Sequence, residues 1–160
     1  MNNFTNHSNA DCPFCRKEII EKSFCTITRF SALYNIAPIL PGHSLIIPNN
    51  HYESLFELSD DELSEMMLFA RKITLVLKTV FECDGFDWTI QDGISAGQTV
   101  PHLHLHIIPR KPLNLPVGDE WYSKIPQNEA HLLDRDNRER LSDNEYNIIT
   151  QQLKKAITAL

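Results

Sequence analysis

The sequence contains no run of about 18 uncharged apolar residues, so it encodes no helix able to cross a bilayer and predicts no membrane partner. It has no surplus of positive charge either, with 15 Lys plus Arg against 21 Asp plus Glu and a formal charge of -6. Non-specific grip on DNA, RNA or anionic lipid needs the opposite balance, so nucleic acid is not an expected partner. A small anionic ligand held by local donors remains compatible with that charge. The stretch Met1–Ala10 carries no Lys, no Arg and no apolar block, so it does not read as a secretion signal. Cys12, Cys15, Cys25 and Cys83 are therefore expected as reduced thiols in the cytoplasm, available to a metal rather than paired. No internal repeat or low-complexity tract stands out.

What is present fits one domain. At 160 residues, 42% hydrophobic and 22% charged, the chain can bury a self-sufficient core, which excludes a disordered, collagen-like or fibrous protein. Residues 1–11 read as a flexible leader. Phe24 to Pro48 is strand-like, with Phe24, Thr26, Thr28 and Phe30 alternating with Cys25, Ile27 and Arg29, followed by apolar runs at Leu33–Ile36 and Leu45–Ile47. Pro38, Pro41 and Gly42 punctuate these runs as turns.

Ser59-Asp60-Asp61-Glu62 is a capping box, and Leu63, Met66, Met67, Ala70, Ile73, Leu77 and Phe81 continue it as the longest helix, ended by Asp84-Gly85. Phe86–Asp92 and Leu103–Ile108 read as strands joined through a loop at Gly93–Gly97. A second capping box, Ser142-Asp143-Asn144-Glu145, opens a helix through Ile148, Ile149, Leu153 and Ile157. Short strands around one long helix, without regular βαβ alternation, indicate an α+β fold with a mainly antiparallel sheet.

Chemistry concentrates in Pro101-His102-Leu103-His104-Leu105-His106-Ile107-Ile108-Pro109. On a strand His102, His104 and His106 share one face, while Leu103, Leu105 and Ile107 share the other. The leucine face suits a core helix; the imidazole row has no packing purpose. Chance exposure of three histidines is one reading. A three-His metal site is another, but these positions span about 13 Å, too far for one ion without a bulge. The third is nucleophilic catalysis, since neutral imidazole attacks phosphorus well and a neighbouring histidine can fix its tautomer. Upstream, Gly97 allows close backbone approach, and Gln98 and Thr99 offer neutral donors suited to phosphate.

The stretch Gln91 to Arg110, with its H-φ-H-φ-H-φ-φ pattern at 102–108, resembles the histidine triad (HIT) superfamily motif. Leu33-Tyr34-Asn35 and Pro41-Gly42-His43-Ser44-Leu45-Ile46-Ile47-Pro48 are similar to that family's nucleotide-binding strands and P-G-H turn. The resemblance covers residues 12–112 as a HIT domain and leaves 113–160 as a C-terminal extension with a helix near 143–158. Gln91-Asp92-Gly93 and Asn35 look most like the fragile-histidine-triad branch, which hydrolyses dinucleoside polyphosphates. An intact His106, where the nucleotidyltransferase branch commonly has Gln, favours hydrolysis over transfer.

The resemblance implies a sheet of about five strands and a homodimer acting on a nucleotide. His104 would attack the α-phosphorus, His106 would hydrogen-bond the phosphate, and His43 would buttress the cluster. Asn35 would contact the ribose, Leu33 the base, and Gln91, Gly97, Gln98 and Thr99 the phosphate or ribose oxygens. Whether a divalent cation accompanies the substrate stays open, as does nucleoside phosphoramidate cleavage or nucleotide binding with vestigial turnover.

Cys12-Pro13-Phe14-Cys15 resembles the C-P-F-C of glutaredoxins, but that motif should follow a strand and open a helix, whereas an Asn-rich leader precedes it here. The spacing alone also permits coincidence. Some HIT proteins build a structural zinc from such a pair, a histidine after the P-G-H strand and the first histidine of the triad. The matching positions are Cys12, Cys15, His51 and His102, a closed Cys2His2 shell. Cys25, Cys83 and Trp88 read as core or near-core residues, and His7 and His131 as solvated.

Overall fold

The computed structural model describes residues 11–112 and 139–159; His7 and His131 fall outside them. After a 3-10 turn at Pro13–Cys15, the elements are α1 (Lys17–Glu21), β1 (Cys25–Thr26), β2 (Phe30–Tyr34), β3 (Ser44–Pro48), α2 (Asp60–Val80), β4 (Gly85–Ile90), β5 (Leu105–Arg110) and α3 (Asp143–Thr158). The five strands form one antiparallel sheet in the order β1-β2-β3-β5-β4. The fold is α+β.

Both long helices start where their sequence says. The Ser59 and Ser142 hydroxyls accept from the backbone N–H groups of Glu62 and Glu145, and those carboxylates accept from the Ser59 and Ser142 backbone in return. Each box satisfies two of the donors a helix start leaves over. The end of α2 differs from expectation. It stops at Val80 with Phe81 as its cap, and Glu82 makes the turn with φ of 49°. Gly85, read as the terminator, instead opens β4.

Sheet alternation divides the apolar residues between two layers. Ala32, Tyr34, Ile46, Leu105 and Ile107 face α2, where Met66, Ala70, Ile73 and Leu77 are fully buried. Met66, Ile73 and Leu77 each contribute about 1.5–3 kcal/mol by leaving water. Met67, expected beside Met66 on this face, is 38% exposed, because the next residue on a helix is turned about 100° away. The same geometry turns Ile148 outward on α3, leaving Tyr146 and Leu153 as the buried contacts. Thus α3 belongs to the main core. Trp88 packs against that core and donates its indole N–H to Thr74 Oγ1 at 2.9 Å.

The opposite face carries Leu33, Leu45 and Ile47, covered by Phe14, Ile19 and Ile20 from the first turn and α1. The strand run read across Phe24–Phe30 is broken: only Cys25–Thr26 pair with β2, and the chain reverses where Ile27 N–H bonds Phe30 O at 2.9 Å.

Gly42 shapes the turn before β3. Its φ is 91°, and a Cβ there would lie 2.6 Å from Pro109 Cγ and 2.9 Å from Phe81 Cδ2. Backbone strain and this collision act together, so Gly42→Ala is expected to cost about 2–4 kcal/mol. Urea denaturation would read this as a lower midpoint at an unchanged slope; a loss under 1 kcal/mol would contradict it.

Candidate active site and metal clip

Register places the triad. Leu33 pairs with Leu45, Leu45 with His106, and His106 with Thr89, so one row of side chains crosses the sheet. The ladder begins only at Leu105, two residues later than the sequence suggests, and runs through Pro109 to Arg110. His102 and His104 precede it because the local backbone bonds elsewhere: Leu103 N–H reaches Tyr52 O at 2.6 Å. The histidines are not an exposed row. His102 is fully buried and His104 is 6% exposed.

Hydrogen bonds assign the tautomers. His104 Nδ1 lies 2.7 Å from the His102 carbonyl, so Nδ1 carries the proton and Nε2 keeps a lone pair. His43 Nδ1 accepts from Ile39 N–H at 3.1 Å, which puts the His43 proton on Nε2. That Nε2–H donates to His106 Nδ1 at 2.9 Å and leaves the His106 proton on Nε2. A relay thus orients His106 as a donor beside His104, the two ring centroids lying 4.9 Å apart. Burial holds His104 below the usual histidine range, with its carbonyl bond pulling the other way, so the ring is neutral at pH 7.

A cavity opens over this row. His104, His106, Gln91 and Thr99 line it together with Leu33, Leu45 and Asn35. Asn35 is buried; its Oδ1 accepts from Ala37 N–H at 2.9 Å, and its Nδ2 sits 3.4 Å from His43 Nε2. Two expected residues have other partners. Gln98 spans from Glu53 O at 2.8 Å to Gly93 N–H at 2.7 Å and does not line the cavity. At Gly97 a Cβ would lie 2.8 Å from Gln91 Nε2, so its missing side chain makes room for Gln91. Further wall residues escaped the sequence reading: Pro13 and Phe14 from the first turn, Lys22, Arg140 and Tyr146. Their only available signal is an apolar or basic residue near a turn, which spacing does not separate from ordinary surface.

Beside the cavity, Cys12, Cys15, His51 and His102 bring their ligand atoms within 4.8 Å of one another. His102 Nδ1 is 3.3 Å from Cys12 Sγ and 3.6 Å from Cys15 Sγ, and His51 Nδ1 is 3.3 Å from Cys15 Sγ. Sulfur and imidazole ligands on one tetrahedral zinc stand about 3.5 Å apart, so the set fits. His102 Nε2 donates to Pro48 O at 3.0 Å, which turns its lone pair toward the sulfurs. Burial, chiefly, pushes His102 down to about 4, so that lone pair stays free of a proton. Burial and the neighbouring Cys12 sulfur push the Cys15 thiol up to about 12. A bound cation supplies the charge that turns such thiols into thiolate ligands. These four residues form a group able to hold a metal ion.

A HIT domain model matches residues 16–113, and the chain belongs to the HIT family. It is 43% identical over 106 residues, 66% of this chain, to the asymmetrical bis(5'-nucleosyl)-tetraphosphatase of Schizosaccharomyces pombe. It is 40% identical over 102 residues, 64% of this chain, to the bis(5'-adenosyl)-triphosphatase of Dictyostelium discoideum. The chain spans 58% of the first relative's length and 68% of the second's. A hypothetical histidine triad nucleotide-binding protein from Sulfolobus tokodaii superposes with a TM-score of 0.73 at 27% identity, covering 93% of both chains. Cys12 and Cys15 lie just before the matched span, so half of the metal group is contributed from outside it.

Proposed function

We propose that this protein hydrolyses dinucleoside polyphosphates at the α-phosphate through a nucleotidyl-histidine intermediate. The observation that carries this reading is His104, a neutral ring with its Nε2 lone pair set free by the bond to the His102 carbonyl, at the wall of the cavity. His104 Nε2 forms a bond to the α-phosphorus while the bridging P–O bond breaks and the remaining nucleotide leaves. Water then cleaves the P–N bond and releases a nucleoside monophosphate. Imidazole serves both steps because it is a nucleophile and a leaving group. The His106 Nε2–H, oriented through His43, stabilises charge on a phosphate or bridging oxygen. Leu33 and Leu45 hold the base, Asn35 the ribose, and Gln91 and Thr99 the phosphate oxygens. Gln98 and Gly97 act on this ligand through the shape of their loop. The relatives named for tetraphosphate and triphosphate cleavage support the substrate class.

The metal is zinc in this reading, supported by the Cys2His2 donor set and its tetrahedral spacing. With four protein ligands it offers no open position and its part is structural. Thiolate ligands suit a reducing compartment, and the cytoplasm is the proposed location. A homodimer is proposed through β4, which among the described residues ends the sheet and exposes Phe86. Light scattering should return twice the chain mass.

Product chromatography after incubation with diadenosine triphosphate, diadenosine tetraphosphate and adenosine phosphoramidate tests the activity. AMP arising mainly from the dinucleotides supports it. AMP mainly from the phosphoramidate retains the mechanism and overturns the substrate, and no turnover at all overturns the enzyme. The pH profile is a second check. Because His104 protonates only below the usual 6.5, kcat/KM should stay flat from pH 8 to 6.5 and fall below it. Stability moves the same way. Below pH 6.5 the unfolded chain takes up a proton that the buried ring refuses, so the fold weakens as pH drops toward the folded pKa. An acid limb centred above pH 7 would contradict the assignment.

A further inference from the structure

The metal group and the cavity share a wall. Between Cys12 and Cys15 lie only Pro13 and Phe14, and both line the cavity. The Phe14 ring touches both centres at once. Its centroid is 5.6 Å from that of His102, a ligand in the metal group, edge-on at 80°. It is also 5.6 Å from that of His104, the proposed nucleophile, tilted at 59°. On its other side Phe14 packs with Ile19 and Ile20 against Leu33, Leu45 and Ile47. No side-chain hydrogen bond caps this turn. Phe14 itself and the two cysteines flanking it draw the turn onto the sheet.

A second tie runs through His51. Two residues beyond it, Glu53 O accepts from Gln98 Nε2 at 2.8 Å, and Asp92 Oδ2 accepts from Ser54 Oγ at 3.0 Å and Leu55 N–H at 2.7 Å. The segment carrying the third ligand is thereby fastened to the loop before the triad.

We propose that metal and nucleotide bind cooperatively, with Phe14 as the positioning residue that couples them. Closing Cys12 and Cys15 on the ion fixes the Phe14 ring against His104 and completes the cavity wall; a nucleotide filling the cavity holds the same ring, and with it both cysteines, in place. The proposal rests on the nucleotide reading above. Linkage requires the effect to be reciprocal. The metal should raise affinity for AMP by about tenfold, and saturating AMP should raise affinity for the metal by that same factor.

Calorimetric titration of AMP into zinc-loaded and chelated protein measures one direction. Cobalt titration, followed by its ligand-field absorption with and without saturating AMP, measures the other. Phe14→Ala should still take one cobalt per chain, with an affinity that no longer responds to saturating AMP. Equal AMP affinity with and without metal overturns the coupling alone, and so does an undiminished AMP effect in Phe14→Ala. If the chelated protein unfolds, the Phe14 comparison decides, because linkage through global unfolding survives that substitution while linkage through the ring does not. Failure of AMP to bind the loaded wild-type protein overturns the nucleotide reading itself.

Discussion

His104→Asn is expected to lower turnover of diadenosine polyphosphates by at least about 10⁴-fold, the scale on which removing a covalent nucleophile acts. Asparagine is the informative replacement. Its amide N–H can occupy the place of Nδ1–H and keep the bond to the His102 carbonyl, which in the native ring is 2.7 Å long. The buried position then stays satisfied, so the melting temperature should move little. What disappears is the Nε2 lone pair, and no atom of asparagine reaches that place. AMP affinity should stay within about threefold, since the base and ribose contacts lie elsewhere; a 10⁴-fold loss corresponds to about 5.5 kcal/mol of barrier. Turnover within tenfold of wild type would end the assignment. Equal losses in turnover and AMP affinity would mean that the substitution had damaged the cavity.

Cys12→Ser should remove the metal and lower the melting temperature by roughly 10 °C. Protein purified without added metal is expected to carry about one zinc per chain, and the variant none. At free zinc about a thousandfold above its dissociation constant, binding stabilises the fold by about 4 kcal/mol. In a domain of this size that is worth roughly 10 °C. The fold should nevertheless persist, because Met66, Ile73, Leu105, Ile107 and Leu153 are buried in a core to which none of the four metal-group residues belongs. Acid should mimic the mutation, since protons compete with zinc for thiolate and imidazole. A metal-free, unshifted wild-type protein would rule zinc out.

Local signals in this sequence were readable, and contacts between distant segments were much less so. The capping boxes at Ser59 and Ser142 lie within four residues of chain, and both helices begin there. The alternation of His and Leu put the imidazoles opposite the core, and the strand register bears this out for His106 and Ile107. The stop of α2 falls ahead of Asp84-Gly85 because Glu82 adopts a conformation usually left to glycine. Tyr146 was invisible as a wall of the cavity. It reaches the site because its ring packs edge-on against Tyr34 and because Leu141 N–H bonds Ile36 O at 2.9 Å, holding the start of α3 over β2. Nothing in the spacing of residues 141 and 36 announces that bond. A third capping box, Ser54 to Glu57, opens only one 3-10 turn, too short a run for apolar periodicity to mark it.

The bridge made by Gln98 has a consequence for the cost of binding. With one end of its amide on Glu53 O and the other on Gly93 N–H, the 93–98 loop is shaped before any ligand arrives. Ordering a flexible loop of that length would consume several kcal/mol of conformational entropy at about 1–2 kcal/mol per residue. On the proposed reading that ordering is complete on folding, so phosphate contacts from Gln91 and Thr99, which flank the loop and line the cavity, lose less of their free energy to ordering. Folding has done in advance what a mobile lid would have to repeat at every turnover.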